Sequence, residues 1–202
     1  LEAFVRRQGV VPRDDRLVYA AWIPGQSLQK TFEVTALISQ NASMTRGLGN
    51  LAFTLRKRSQ SLQLLSNEDA IRARGIRLTP LLAADSKFWG ETDYAKEEIR
   101  RDEKLDHFTP LYLAAAVQKG DPSLPVDNQR MIIVSNPTIL SGGAKRQKQQ
   151  TDFVMANLNW LLDRTEISGP SVREPTRYAA KLPAGSKSRL DFLVIGVLPG
   201  LM

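Results

Sequence analysis

The chain has 202 residues, of which 42% are hydrophobic, and its 28 Lys and Arg against 21 Asp and Glu give a net charge of +7. This apolar content suffices for one large domain, or one domain with an appendage, and excludes global disorder. The chain has no cysteine, which excludes disulfides, thiolate catalysis and zinc sites built on Cys.

The positive charge permits attraction to nucleic acid or to anionic headgroups. The basic residues are scattered, however, over Arg56, Lys57 and Arg58, Arg72 and Arg74, and Lys145, Arg146 and Lys148. None is interleaved with aromatics as a base-stacking surface requires, so nucleic acid is not expected as a partner.

In chain order, residues 1–7 read as the tail of an amphipathic helix with Leu1, Phe4 and Val5 on one face, closed at Gly9. The chain begins at Leu1 without a signal-peptide pattern, which reads as a piece of a longer protein. "RLVYAAWI" (16–23) is a strand broken by "PGQS", and "KTFEVTALIS" (30–39) is a second strand, alternating through Phe32, Val34 and Ala36. Thr45 can cap a short helical turn, after which 51–65 look extended; 75–85 are strand-like around Ile76, Leu78 and Leu81. The charged run 86–107 contains most of a helix, with Tyr94 and Ile99 to dock it and a solvated polar face.

Residues 109–120 form a short apolar strand, followed by a surface turn. "RMIIV" then reads as a buried, interior strand. The helix "TDFVMANLNWLLDR" is the clearest in the chain, with Thr151 as its N-cap. Its predicted buried stripe is Val154, Leu158, Leu161 and Leu162, widened by Phe153, Ala156 and Trp160. Residues 169–189 are an irregular linker rich in Pro, Gly, Ser and Arg. The last run, 190–202, is apolar apart from Asp191 and reads as the start of a membrane-spanning helix. Strands alternating with helical segments favour an α/β or α+β sheet domain over 1–168.

Few residues invite chemistry. The single histidine, His107, has no nucleophile motif near it, and no G-x-S-x-G occurs. The adjacent pairs Asp14-Asp15 and Glu97-Glu98 point in different directions from strand or helix and do not focus on one ion. "LSGGAKRQKQ" follows a strand and precedes a helix but lacks the spacing of a phosphate loop, so 142–150 read as a long solvated loop. Trp89 and Trp160 are core or interface anchors. No catalytic residue, metal or cofactor is expected. The candidate partner- or ligand-facing residues are Ser135 and Asn136, after the "RMIIV" strand, and Lys145, Arg146 and Lys148 in the basic loop.

Four segments carry a resemblance: "LEAFVRRQGVVPRDDRLVY", "TPLLAADSKFWGETD", "FTPLYLAAAVQKG" and, most specifically, "RMIIVSNPTILS" with "TDFVMANLNWLLDRTE". In this order they resemble the extracytoplasmic domain of the gliding-motility-type (GldG-like) ABC transporter auxiliary component. The resemblance implies a partly parallel α/β sheet with flanking helices, a flavodoxin- or glutaminase-like layer without a transferred active site. It also implies flanking membrane helices, an inner-membrane location with the soluble domain in the periplasm, and an ABC transporter membrane subunit as partner; self-association stays open. One departure is the turn Ser135-Asn136-Pro137, where the family has a Gly-Asp-Ser/Asp-like turn. A second is Lys181, Lys187 and Arg189 before the last apolar run, which the positive-inside rule would place in the cytoplasm. The leading expectation is thus a non-catalytic, membrane-tethered interaction domain. The alternatives are a small hydrolase or transferase with a site near Ser135, and a basic nucleic-acid binder.

Overall fold

A computed structural model of the chain describes residues 1–21, 29–96, 99–120, 128–140 and 147–164. The chain divides into two compact units, Leu1–Pro170 and Ser171–Met202, and every described residue belongs to the first. The linker and the apolar run at 190–202 therefore lie outside the described residues.

Three helices, α1 (Glu2–Arg7), α2 (Asp69–Ala73) and α3 (Lys148–Leu161), accompany ten strands. These are β1 (Val10–Pro12), β2 (Arg16–Ala21), β3 (Gln29–Thr31), β4 (Val34–Ile38), β5 (Ala52–Leu55), β6 (Leu62–Leu64), β7 (Ile76–Ala84), β8 (Trp89–Glu91), β9 (Tyr112–Lys119) and β10 (Gln129–Val134). The larger sheet runs β1-β6-β9-β7-β4-β5, with β10 also paired to β9, and a second sheet runs β3-β2-β8. Every strand pairing is antiparallel.

The expected partly parallel, flavodoxin-like α/β sheet is therefore wrong: the fold is mostly antiparallel β. The misleading signal was the continuous apolar run in β10, which suggested a buried parallel strand. An antiparallel strand carries the same signature when both faces of its sheet are covered. Here Ile132 and Val134 pack against the core under α3, while Met131 and Ile133 pack against the core under α1 and α2. Nor is β10 interior. Among the described residues it pairs only with β9, and it is half-buried along most of its length.

The two cores meet at a crease between β7 and β9. Pro80 pairs with Ala115, Leu82 with Ala114 and Ala83 with Tyr112, so Leu81 is an extra residue on β7 and Leu113 an extra residue on β9. Each extra residue reverses which face the following side chains occupy. Ile76 and Leu78 thus face the α1–α2 core, whereas Leu82 and Ala84 face the α3 core. Leu81 and Leu113 are themselves fully buried. Ala114, Ala115 and Ala116 line the centre of β9 and are buried too. Alanine is a poor strand former, but its small side chain lets covering elements approach a strand that is packed on both faces.

Local signals account for the helix ends. Gly9, directly after the α1 C-cap, has φ +82°, and a Cβ there would come within 2.9 Å of Leu78. Within 86–107 the described residues form β8 and turns rather than the expected helix. Helix α3 begins at Lys148 with Gln147, not Thr151, as N-cap. Its buried face also differs from the expected stripe. Gln150, Phe153 and Asn157 are buried and the expected Val154 and Trp160 pack against the core, whereas Met155, Leu158, Leu161 and Leu162 are exposed. Phe153 meets Phe53 at 5.9 Å between ring centres. Trp160 is half-buried, with the Arg130 guanidinium 5.2 Å from its ring centre.

The two faces of α3 separate energetically. Phe153→Ala should destabilise the protein by about 3–5 kcal/mol through the cavity it leaves. Leu158→Ala should change stability by no more than about 0.5 kcal/mol. Urea midpoints of the two variants measure both, and equal losses would restore the original stripe.

Candidate functional site: a polar seam at the sheet edge

The segment after β10 was expected to face a ligand or partner. Ser135 instead extends the β9–β10 ladder by one residue. Its backbone N–H (2.9 Å) and its hydroxyl (3.1 Å) both donate to the carbonyl of the extra residue Leu113. The matching carbonyl on β7, that of Leu81, accepts from the Ser39 N–H at 2.9 Å. Both backbone bonds extend the neighbouring ladders, β10–β9 and β4–β7, by one residue, so the carbonyls of the extra residues stay paired.

Asn136 is fully buried. Its amide nitrogen donates to the Ser59 hydroxyl (2.7 Å) and to the Arg56 carbonyl (3.2 Å). Its amide oxygen accepts from the N–H (2.8 Å) and hydroxyl (2.5 Å) of Thr138. It thereby caps the 3-10 turn Pro137–Ile139. The side chain does not reach a solvent-facing partner site, because its capacity is spent inside the fold.

The α3 N-terminus continues this seam. The Gln147 amide accepts from the Thr54 N–H at 3.2 Å and donates to the Thr54 carbonyl at 3.1 Å. A side-chain amide thus takes the place of a neighbouring strand's peptide along β5, an edge strand. Gln150 donates to the carbonyls of Thr138 (2.5 Å) and Ile139 (3.0 Å). Of the expected solvated loop, then, Gln147 and Gln150 are docked. Lys148 is exposed and pairs with Asp152 at 3.5 Å; Lys145 and Arg146 lie outside the described residues.

On its far side the seam reaches Asp15, a fully buried carboxylate. It accepts from the Ser61 N–H (2.7 Å) and the Ser61 hydroxyl (2.5 Å). The carbonyls of Ser59 and Ser61 accept from Leu17 and Arg13, each at 2.9 Å. A Cβ at Gly90 would fall 2.3 Å from Asp15 Oδ2 and 3.2 Å from His107 Cβ, so only glycine fits there. Gly90 and His107 exchange two backbone hydrogen bonds, of 2.8 and 2.9 Å. Although Ser61, Asp15 and His107 gather around Gly90, the arrangement does not build a nucleophile. The Ser61 proton is directed at the Asp15 carboxylate, whereas activation needs it directed at an imidazole.

A cleft of about 530 Å³ lies beside β8, lined by Glu91, Asp93, Asp102 and Asp106 among others. Its two buried carboxylates are committed to the surrounding loop. Glu91 accepts from the Asp93 N–H (3.0 Å) and the Trp89 indole (3.3 Å). Asp106 accepts from the N–H groups of Thr92 (3.0 Å) and Asp102 (2.7 Å). Among the described residues no group of three metal-ligating side chains occurs. At the cleft mouth the Lys96 ammonium is held above its ordinary pKa, first by its hydrogen bond to Asp93 and then by that carboxylate's charge.

Ser59 and Ser61 had no signal in the sequence, Asp15 was weighed only as half of an ion-binding pair, and Gln147 and Gln150 were read as part of a solvated loop. Each is a common polar residue whose role depends on a partner far along the chain.

Removing Asn136 strands several buried groups at once, so Asn136→Ala should cost about 2–3 kcal/mol in urea unfolding. Ser135→Ala should cost only about 1 kcal/mol, because the Ser135 N–H still serves Leu113. Gly90→Ala should destabilise strongly, and Asp15→Ala should recover part of that loss in the double variant. Strict additivity of the pair would show that the Asp15–Gly90 approach is not the cause.

Comparison of the chain with protein-family models, with curated proteins and with solved structures finds no match.

Proposed function

We propose that this chain is a non-catalytic interaction domain, tethered to the membrane on the extracytoplasmic side, in an ABC transporter auxiliary subunit. The observation that carries the non-catalytic part is the state of Ser135 and Asn136. The side chains that the strand end would offer a substrate are hydrogen-bonded to the protein's own Leu113, Arg56, Ser59 and Thr138. For the interaction part, α3 presents Met155, Leu158, Leu161 and Leu162 to solvent, more apolar surface than a helix facing only water needs. The transporter and the tether are supported by the order of the four resembling segments and by the apolar run at 190–202. Among the described residues no helix is long and apolar enough to cross a membrane.

The test uses the full-length protein in its own cells. It should sediment with membranes, resist an alkaline wash that strips peripheral proteins, and co-purify in mild detergent with a transporter's membrane-spanning subunit. Recovery in the soluble fraction would overturn the tether. A hydrolase or transferase activity abolished by Ser135→Ala in a folded variant would overturn the non-catalytic reading.

A further inference from the structure

Among the described residues the larger sheet has three strand edges without a strand neighbour, and two are blunted. β5 is covered at Thr54 by the Gln147 amide and, just beyond it, at the Arg56 carbonyl by Asn136 and Thr138. β1 is three residues long and ends in Pro12, which has no N–H to donate. The third edge belongs to β10. Because Ser135 N–H bonds Leu113, alternation turns the backbone groups of Ile133, Met131 and Gln129 towards β9. Those of Arg130, Ile132 and Val134 point outward, and no strand meets them among the described residues.

This edge carries none of the usual deterrents. It has no proline, and it is regular over Gln129–Val134. Its one charge, Arg130, is turned down onto α3, where it bonds the Trp160 carbonyl (2.6 Å) and the Asp163 carboxylate (2.7 Å). These contacts also place the C-terminal end of α3 beside β10. The exposed residues Met155 (45%), Leu158 (44%), Leu161 (37%) and Leu162 (58%) occupy that half of the helix.

We infer that β10 is a self-association edge, at which a second copy of the chain pairs antiparallel across a two-fold axis at Ile132. Such an axis stands perpendicular to the sheet. It matches Arg130 with Val134 of the second copy and joins the outward N–H and C=O groups of three residues on each side. It also keeps both α3 helices on one face, so that their exposed leucines approach each other. The pairing is isologous and closes on itself, which limits it to a dimer. The four helix residues offer roughly 300 Å² per copy and the strand roughly 200 Å² more, a total near the ~1,000 Å² that a specific interface must reach. This places the dimer at the weak, reversible end of such interfaces. The inference does not depend on the membrane or transporter reading.

Sedimentation of the full 202-residue chain over a wide concentration series should show a reversible monomer–dimer equilibrium. Hydrogen exchange at the amides of Arg130, Ile132 and Val134 should slow as the dimer fills. Ile132→Pro, which removes an outward N–H and spares the β9 ladder, should abolish the dimer. Leu158→Lys with Leu162→Lys changes only exposed positions, so it decides the question if the proline variant does not fold; it should also abolish the dimer. Ala52→Lys, on the covered β5 edge, should leave it intact. A monomer at every concentration would overturn the inference. So would a dimer that survives the helix substitutions without protecting the three amides, which would trace association to another surface.

Discussion

The fold depends on a buried run of polar contacts that no other part of the molecule can replace. It begins at Gln147 and Gln150 in the first turn of α3, passes through Asn136 and Ser59, and continues through Ser61 to Asp15 against Gly90. Each member is placed by a partner distant in sequence, and each leaves a buried donor or acceptor orphaned if removed. In a low-dielectric interior such losses cost more than any one contact contributes. The contacts therefore act less as a source of stability than as a register lock. They admit one placement of the 56–61 segment between the β10 end and the β1–β2 turn.

That lock is needed because the sheet itself is creased. A ladder with one extra residue on β7 and another on β9 could slip and pair differently. The carbonyls of the two extra residues face the other neighbours, where Ser135 and Ser39 continue the β10–β9 and β4–β7 ladders, so the irregular register is a satisfied one. The same crease hands the sheet from the core under α1 and α2 to the core under α3. Residues that looked like a ligand-facing turn are thus the fastening of the fold. Among the described residues, the other side of α3 and the outer edge of β10 are apolar and lie next to each other through Arg130.

The misreading of α3 follows from the same physics. Val154, Leu158, Leu161 and Leu162 form an apolar stripe by periodicity, and apolar stripes usually face cores. Here Gln150 and Asn157 flank Phe153 on the buried side, and of that stripe only Val154 packs against the core. Gln150 goes inward because the 3-10 turn offers it two carbonyls. Asn157 donates to the Phe153 carbonyl at 2.7 Å, while its own amide oxygen has no partner. A helix that turns amides inward and leucines outward is oriented by polar fastening against its hydrophobic pattern. On the proposed reading, the outward face is the one a partner covers.

Read alone, the sequence located several of the regular elements, though it expected a helix within 86–107 where the described residues form β8 and turns. The apolar strands at 76–84, 112–119 and 129–134, the helix that contains Phe153 and the close of α1 at Gly9 all follow from local pattern and glycine placement. It also excluded disulfides and thiolate chemistry outright. It did not determine which strands pair, in which direction, or which face of α3 is buried, and so it could not tell a parallel sheet from an antiparallel one covered on both sides. The reason is physical. Local pattern records how much of a segment is shielded from water, and that record is the same whichever neighbour does the shielding. Strand pairing, the crease between β7 and β9, and the burial of Asp15 beside Gly90 are agreements between residues tens of positions apart. Only the tertiary structure could decide them.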